Sequence, residues 1–104
     1  MSNTLLMQIE NMKTVSSAYG RAGYPNDWNA DHPIAQLIYW LDEISLEIRA
    51  SQYEGRLAVI DEEVDALLLL RNVPFFRSGV GWALFEGFRD TILELRLLVL
   101  KNIN

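Results

Sequence analysis

The sequence predicts an all-α fold, a compact four-helix domain. Apolar residues recur at steps of three and four in four segments, which is the spacing of one helix face. No run alternates in the manner of a β-strand, and half of the 104 residues are apolar, enough for one core. We therefore expect a single domain over residues 1–104, with helices over about 3–19, 32–51, 55–71 and 79–102.

The first helix has a narrow apolar stripe and a predicted end at Gly20. Ser2 or Asn3 is its expected N-cap. The segment that follows, 20–33, is rich in turn formers and longer than most connections, so we expect an ordered aromatic loop held by Tyr24 and Trp28. The predicted stripe consists of Leu5, Ile9, Met12, Ser16 and Tyr19.

The second helix is expected to start at a cap supplied by Asp31 or His32, with Pro33 in its first turn. The single histidine is therefore interpreted as a capping or loop residue. The core face is predicted to hold Ile34, Leu37, Ile38, Leu41, Ile44 and Ile48. A second, thinner apolar strip holds Tyr39, Leu46, Ala50 and Tyr53. This helix is thus expected to contact something on two sides.

The third and fourth helices are apolar nearly all round near their ends, and this pattern favours burial of those ends. Gly55 is only a weak break between the second and third helices, and Asn72 with Pro74 is expected to end the third. Ser78 is the expected cap of the fourth. Its core face is predicted to hold Phe85, Phe88, Ile92, Leu95 and Val99.

Composition excludes several classes of function. The chain has no cysteine, so it has neither disulfides nor a thiolate metal site. The net charge of −5 disfavours binding to a phosphate backbone, so we expect no nucleic-acid partner. The start of the chain lacks the basic and apolar regions of a signal peptide, and no run approaches a membrane span. We expect a cytoplasmic protein.

The acidic residues are concentrated between Asp42 and Asp65, a stretch that contains eight acids and only two arginines. Such a stretch fits a solubilising surface, a metal site or a site for a basic partner. Glu43 and Glu47 lie four residues apart on the second helix, and Glu62 lies three before Asp65 on the third. Carboxylates one turn apart on neighbouring helices are the arrangement that holds Mg²⁺ in helical bundles.

This pair of motifs, Glu43-Ile-Ser-Leu-Glu47 and Glu62-Glu-Val-Asp65, resembles that of the all-α (MazG-like) nucleoside triphosphate pyrophosphatases. The resemblance covers about 25 of the 104 residues. It implies that the four carboxylates hold magnesium, which activates water for cleavage between the α and β phosphates. The family usually doubles the first glutamate, whereas this chain has Ile44 there.

Aromatic residues indicate a different function. A tryptophan beside two acids on the second helix suits a partner with a basic, apolar groove. Our main hypothesis is a non-enzymatic interaction domain without a cofactor, of the inhibitor, adaptor or chaperone type found in phage or bacterial operons, that docks on a partner protein or on itself. The magnesium-dependent pyrophosphatase is the alternative. The interface candidates are Tyr24, Trp28, Tyr39, Trp40, Glu43, Glu47 and Tyr53.

Overall fold

A computed structural model describes the backbone of residues 2–23, 32–54 and 60–103 and the side chains of residues 4–19, 32–51 and 61–100. Within these residues the chain is helical and has no strand, which confirms the all-α prediction. The described α-helices are α1 (Ser2–Gly23), α2 (Pro33–Glu54), α3 (Ile60–Leu69), α4 (Gly79–Gly87) and α5 (Arg89–Ile103). Two short 3₁₀ helices, Leu70–Asn72 and Pro74–Arg77, connect α3 to α4.

The first helix is longer than predicted, because α1 continues through Gly20 to Gly23. A glycine inside a helix costs only about 1 kcal/mol relative to alanine, so it does not have to end one. Residues 20–23, predicted to belong to the aromatic loop, are therefore helical. Residues 24–31, which include Tyr24 and Trp28, lie outside the described residues, as does the predicted break at Gly55.

The last predicted helix is two helices, so the prediction of a single helix over 79–102 is wrong. Phe88 lies at the junction with φ −99° and ψ 0°, and its N–H donates to the Phe85 carbonyl oxygen at 3.1 Å. That bond closes a turn one residue tighter than an α-helical turn. Gly87 directly precedes the junction and has the weakest helix propensity after proline. The sequence does not reveal this break, because the core residues keep the same helical spacing on both sides of it.

The end of α3 is also more exposed than predicted. Its last residue, Leu69, is 65% exposed, although Leu70 is buried. The predicted stop near Asn72 and Pro74 is confirmed, since Val73 is extended with ψ 131° and the second 3₁₀ helix starts at Pro74. Ser78 precedes α4 as expected, but its side chain makes no capping hydrogen bond.

His32 caps α2 as predicted. Its Nδ1 accepts a hydrogen bond from the Ile34 N–H at 3.1 Å, which gives an amide of the first turn a partner. The other side of this ring lies edge-on against Phe75, with ring centroids 5.2 Å apart. The start of α2 is therefore fixed to the segment between α3 and α4.

The core forms where the predicted faces meet. α1 packs on α2, α2 on α3, and α5 reaches both α1 and α3. Nearly every residue of the core faces predicted for the first, second and last helices is buried, with Tyr19 exposed and Ile38 half-buried. The most completely buried side chains are Ile9, Ile34, Leu37, Leu41, Ile44, Ile48, Val64, Leu67, Phe76 and Leu95.

A polar cluster joins α1 to α2. The Ser45 hydroxyl donates to Glu10 Oε1 at 2.6 Å, and the Arg49 guanidinium donates to the same oxygen at 3.2 Å. The Ser45 bond is the main cause that lowers the pKa of Glu10. Lys13 Nζ contacts Asp42 at 2.6 Å, and this hydrogen bond raises the pKa of the lysine. These contacts fix the rotation of α1 on α2.

Candidate binding groove and acidic face

A groove of about 680 Å³ lies between the end of α3, the 3₁₀ helices, α4 and α5. Its apolar part contains an exposed tryptophan and an exposed leucine above buried side chains, and its rim has four arginines. We call it the arginine groove. The apolar lining is Leu68, Phe76, Trp82, Phe85, Ile92 and Leu93, and the polar lining is Arg71, Asn72, Arg77, Glu86, Arg89 and Arg96.

Local packing explains why α4 forms one wall. Phe76 is buried, and its ring meets the Phe85 ring edge-on at 4.8 Å. Gly81 lies directly on the backbone of the second 3₁₀ helix, where a β-carbon would be 2.8 Å from the Phe75 carbonyl carbon and 2.9 Å from the Phe76 Cα. This close approach brings Trp82 beside the 3₁₀ segment.

The arginines differ in how far their charge is compensated. Arg96 donates to Asp65 of α3 at 3.1 Å, and Arg89 pairs with Glu86 at 3.6 Å. Arg71 and Arg77 form no ion pair within the described part of the chain. Four arginines and one glutamate line the groove, so it carries excess positive charge in a chain of net charge −5.

Large apolar side chains continue the groove along α5. Trp82 is 54% exposed and Leu93 is 55% exposed. Leu97 and Leu100 follow Leu93 at steps of four and three, and both are more than half exposed. The helix thus presents leucines to solvent on one side, while Leu95 is fully buried on the other. Single exposed apolar residues are ordinary, whereas a row of them on one helix face forms a larger apolar patch.

The described interface candidates lie on a second surface. Tyr39 is 56% exposed, and its ring meets the half-buried Trp40 edge-on at 5.0 Å. Glu43 and Glu47 are partly exposed on the same helix, with Leu46 more than half exposed beside them. The side chain of Tyr53, like those of Tyr24 and Trp28, lies outside the described side chains.

Sequence reasoning missed Glu63, which belongs to this surface. Burial is the main cause that raises its pKa, and the charges of Glu47, Glu62 and Glu43 raise it further. Its Oε2 is buried and has no hydrogen-bond partner within the described structure. The signal was available, because residue 63 lies four before the core residue Leu67. We call Tyr39, Glu43, Leu46, Glu47, Glu62 and Glu63 together the acidic face.

The four carboxylates of the predicted magnesium site do not form one group. Glu43 and Glu47 lie near Glu63, whereas Asp65 is hydrogen-bonded to Arg96 and Glu62 is exposed. Within the residues that the structure describes, no three or more His, Asp or Glu side chains are arranged to hold a metal ion.

Comparisons of the chain with protein-family models, with curated proteins and with solved structures gave no match. The resemblance to the pyrophosphatases therefore rests on the two motifs alone. No described helix is both long and apolar enough to cross a membrane.

Proposed function

We propose that this chain is a non-enzymatic protein-binding domain and that the arginine groove is its binding surface. One observation supports this most strongly, namely the exposed Trp82 and Leu93 in a groove rimmed by four arginines. Tryptophan and arginine dominate the energetics of protein interfaces, because both bury large surfaces and make directional contacts. An inhibitor or adaptor needs such a surface and no catalytic group.

The groove favours an amphipathic helix with acidic flanks as its ligand. Helix-binding grooves take apolar side chains spaced at i, i+4 and i+7 on an apolar floor. Arginine pairs bidentately with carboxylates, so Arg71 and Arg77, which have no described ion-pair partner, would select Glu or Asp beside those anchors. The partner is therefore expected to be acidic and apolar along one helix face.

The alternative, a magnesium-dependent pyrophosphatase, has no comparable support. Asp65 already has a cationic partner in Arg96, and the described carboxylates do not converge on one point. Turnover of a nucleoside triphosphate that requires Mg²⁺ and is lost in Glu47→Gln would favour the enzyme instead.

The binding proposal is tested with a labelled model helix that carries leucines at i, i+4 and i+7 flanked by glutamates. Fluorescence anisotropy should show saturable binding that weakens as salt is added. Trp82→Ala, and separately Arg71→Gln combined with Arg77→Gln, should each weaken binding about tenfold or more.

Two controls sharpen this test. A peptide with lysines in place of the glutamates should not bind, because it repels the rim. Arg49→Gln removes an arginine outside the groove and should leave the affinity unchanged. Equal affinity for both peptides, or full affinity in the groove variants, would exclude the arginine groove as the binding surface.

A further inference from the structure

We infer that the arginine groove binds the acidic face of a second copy of this chain, so that the protein associates head to tail. This inference rests on the proposed function, since it assigns an occupant to the same groove. It is based on the complementary charge and apolar character of the arginine groove and the acidic face, which lie on different parts of the chain.

The acidic face has the chemistry that the groove requires. Tyr39 and Leu46 lie seven residues apart on α2, and both are more than half exposed. Glu43 lies four residues after Tyr39 and Glu47 lies next to Leu46, so these two carboxylates, both partly exposed, border one side of the row. α2 therefore presents large apolar side chains beside carboxylates, which matches an apolar groove with an arginine rim.

On both surfaces some charges form no ion pair among the described residues. Glu43, Glu47, Glu62 and Glu63 pair with no described lysine or arginine, whereas Glu10 of α1 and Asp42 of α2 pair with Lys13. On the groove, Arg71 and Arg77 are likewise without a described ion pair. Contact between the two surfaces would give each set of charges an opposite partner.

Charge also decides between the ways in which two copies could meet. Two grooves facing each other would oppose four arginines to four arginines, and two acidic faces would oppose carboxylates to carboxylates. Like charges across an interface are destabilising, so both symmetric pairings are disfavoured. Only the groove-to-acidic-face contact brings opposite charges together.

This geometry has a consequence for the size of the assembly. A single head-to-tail contact leaves one free groove and one free acidic face, so the assembly either closes, with a reciprocal pair of two copies as the smallest ring, or grows as an open chain. Self-association is expected to increase with protein concentration. It should weaken with salt, because the charges are exposed and the Debye length, about 8 Å at physiological ionic strength, shortens as salt is added.

The test uses the full chain and two neutralising variants in light scattering and sedimentation velocity. The groove variant combines Arg77→Gln with Trp82→Ala, and the acidic-face variant combines Glu43→Gln with Glu47→Gln. Each variant alone should be monomeric where the wild type associates. Their equimolar mixture should form a dimer and nothing larger, because only one intact groove meets one intact acidic face.

A matched control removes two acids from α5 outside both surfaces, Asp90→Asn with Glu94→Gln, and should associate as the wild type does. Circular dichroism confirms that each variant is folded. A monomeric wild type, a variant that associates like the wild type, or a mixture that stays monomeric would overturn the inference. If the wild type is monomeric but binds the acidic model helix, only the inference of self-association is overturned. If it binds neither a second copy nor the model helix, both proposals fail.

Discussion

Gly81 packs against the carbonyl group of Phe75 with no room for a side chain between them. Gly81→Ala would force α4 away from the second 3₁₀ helix, because the obstructing atoms are backbone. We expect a loss of about 2–3 kcal/mol in the free energy of unfolding, the usual range for overpacking. Urea denaturation of the variant measures it.

Gly87→Ala is the matched control for that prediction. A β-carbon at residue 87 meets nothing within 4 Å, and alanine favours the helix by up to about 1 kcal/mol. Its stability should be unchanged or raised. Equal losses at residues 81 and 87 would show that the contact with Phe75 does not determine the effect.

The two fully buried serines should respond in opposite directions to alanine. Ser45 donates to Glu10, so Ser45→Ala removes a charge-assisted hydrogen bond and should cost about 1–2 kcal/mol. The Ser16 hydroxyl has no partner within the described structure, and Ser16→Ala should raise stability by about 1 kcal/mol. Thermal unfolding of both variants tests this, and a loss at Ser16 as large as at Ser45 would contradict it.

Stability around Glu63 should depend on pH in a defined direction. The raised pKa means that the folded chain holds this proton more tightly than the unfolded chain does. Its stabilising effect is complete below the ordinary value of 4.5 and is lost as pH rises through the folded-state pKa. Glu63→Gln should therefore be more stable than the wild type at pH 7, by about 0.5 kcal/mol.

The same comparison at low pH checks the cause. Below about pH 4 the wild-type carboxyl is protonated, so the advantage of Glu63→Gln should vanish there. Glu94→Gln, which removes a carboxylate from an exposed site on α5, controls for the loss of one negative charge. An advantage that persists unchanged into acid would mean that it does not come from the ionised carboxyl, which burial and the neighbouring acids disfavour.

Two leucines of α5 that differ in burial should differ in their effect on stability. Leu95 is fully buried, and Leu95→Ser should cost several kcal/mol, about 3 or more. Leu97 is more than half exposed, and Leu97→Ser should change stability by no more than about 0.5 kcal/mol. Chemical denaturation distinguishes them, and a large loss at Leu97 would indicate that this residue belongs to the core.

The helical faces could be predicted because burial follows a helix period that a single sequence displays. Ile9, Leu41 and Val64 are buried where the spacing placed them. The break at Phe88 could not be predicted in this way, because the same spacing continues across it. Gly87, which directly precedes the break, is the only local signal for it, and a single glycine does not have to end a helix, as Gly20 shows.

The arginine groove was beyond prediction for a related reason. Its arginines come from α5 and from two short 3₁₀ helices, and nothing in the sequence fixes how these elements meet. The grouping of carboxylates in the acidic face was partly predicted, since Glu43 and Glu47 lie together with a glutamate of α3. The prediction chose the wrong glutamate of α3. Adjacent residues of a helix point about 100° apart, and Glu63, not Glu62, lies toward α2.

The contact between the His32 and Phe75 rings also bears on the order of folding. Most packing in this chain joins helices that follow one another, such as α1 with α2 and α2 with α3, and short sequence separation makes such contacts fast to form. The ring pair instead closes a long loop, from the start of α2 to the segment before α4. We expect it to form after the folding transition state, so that Phe75→Leu would accelerate unfolding and leave the folding rate nearly unchanged.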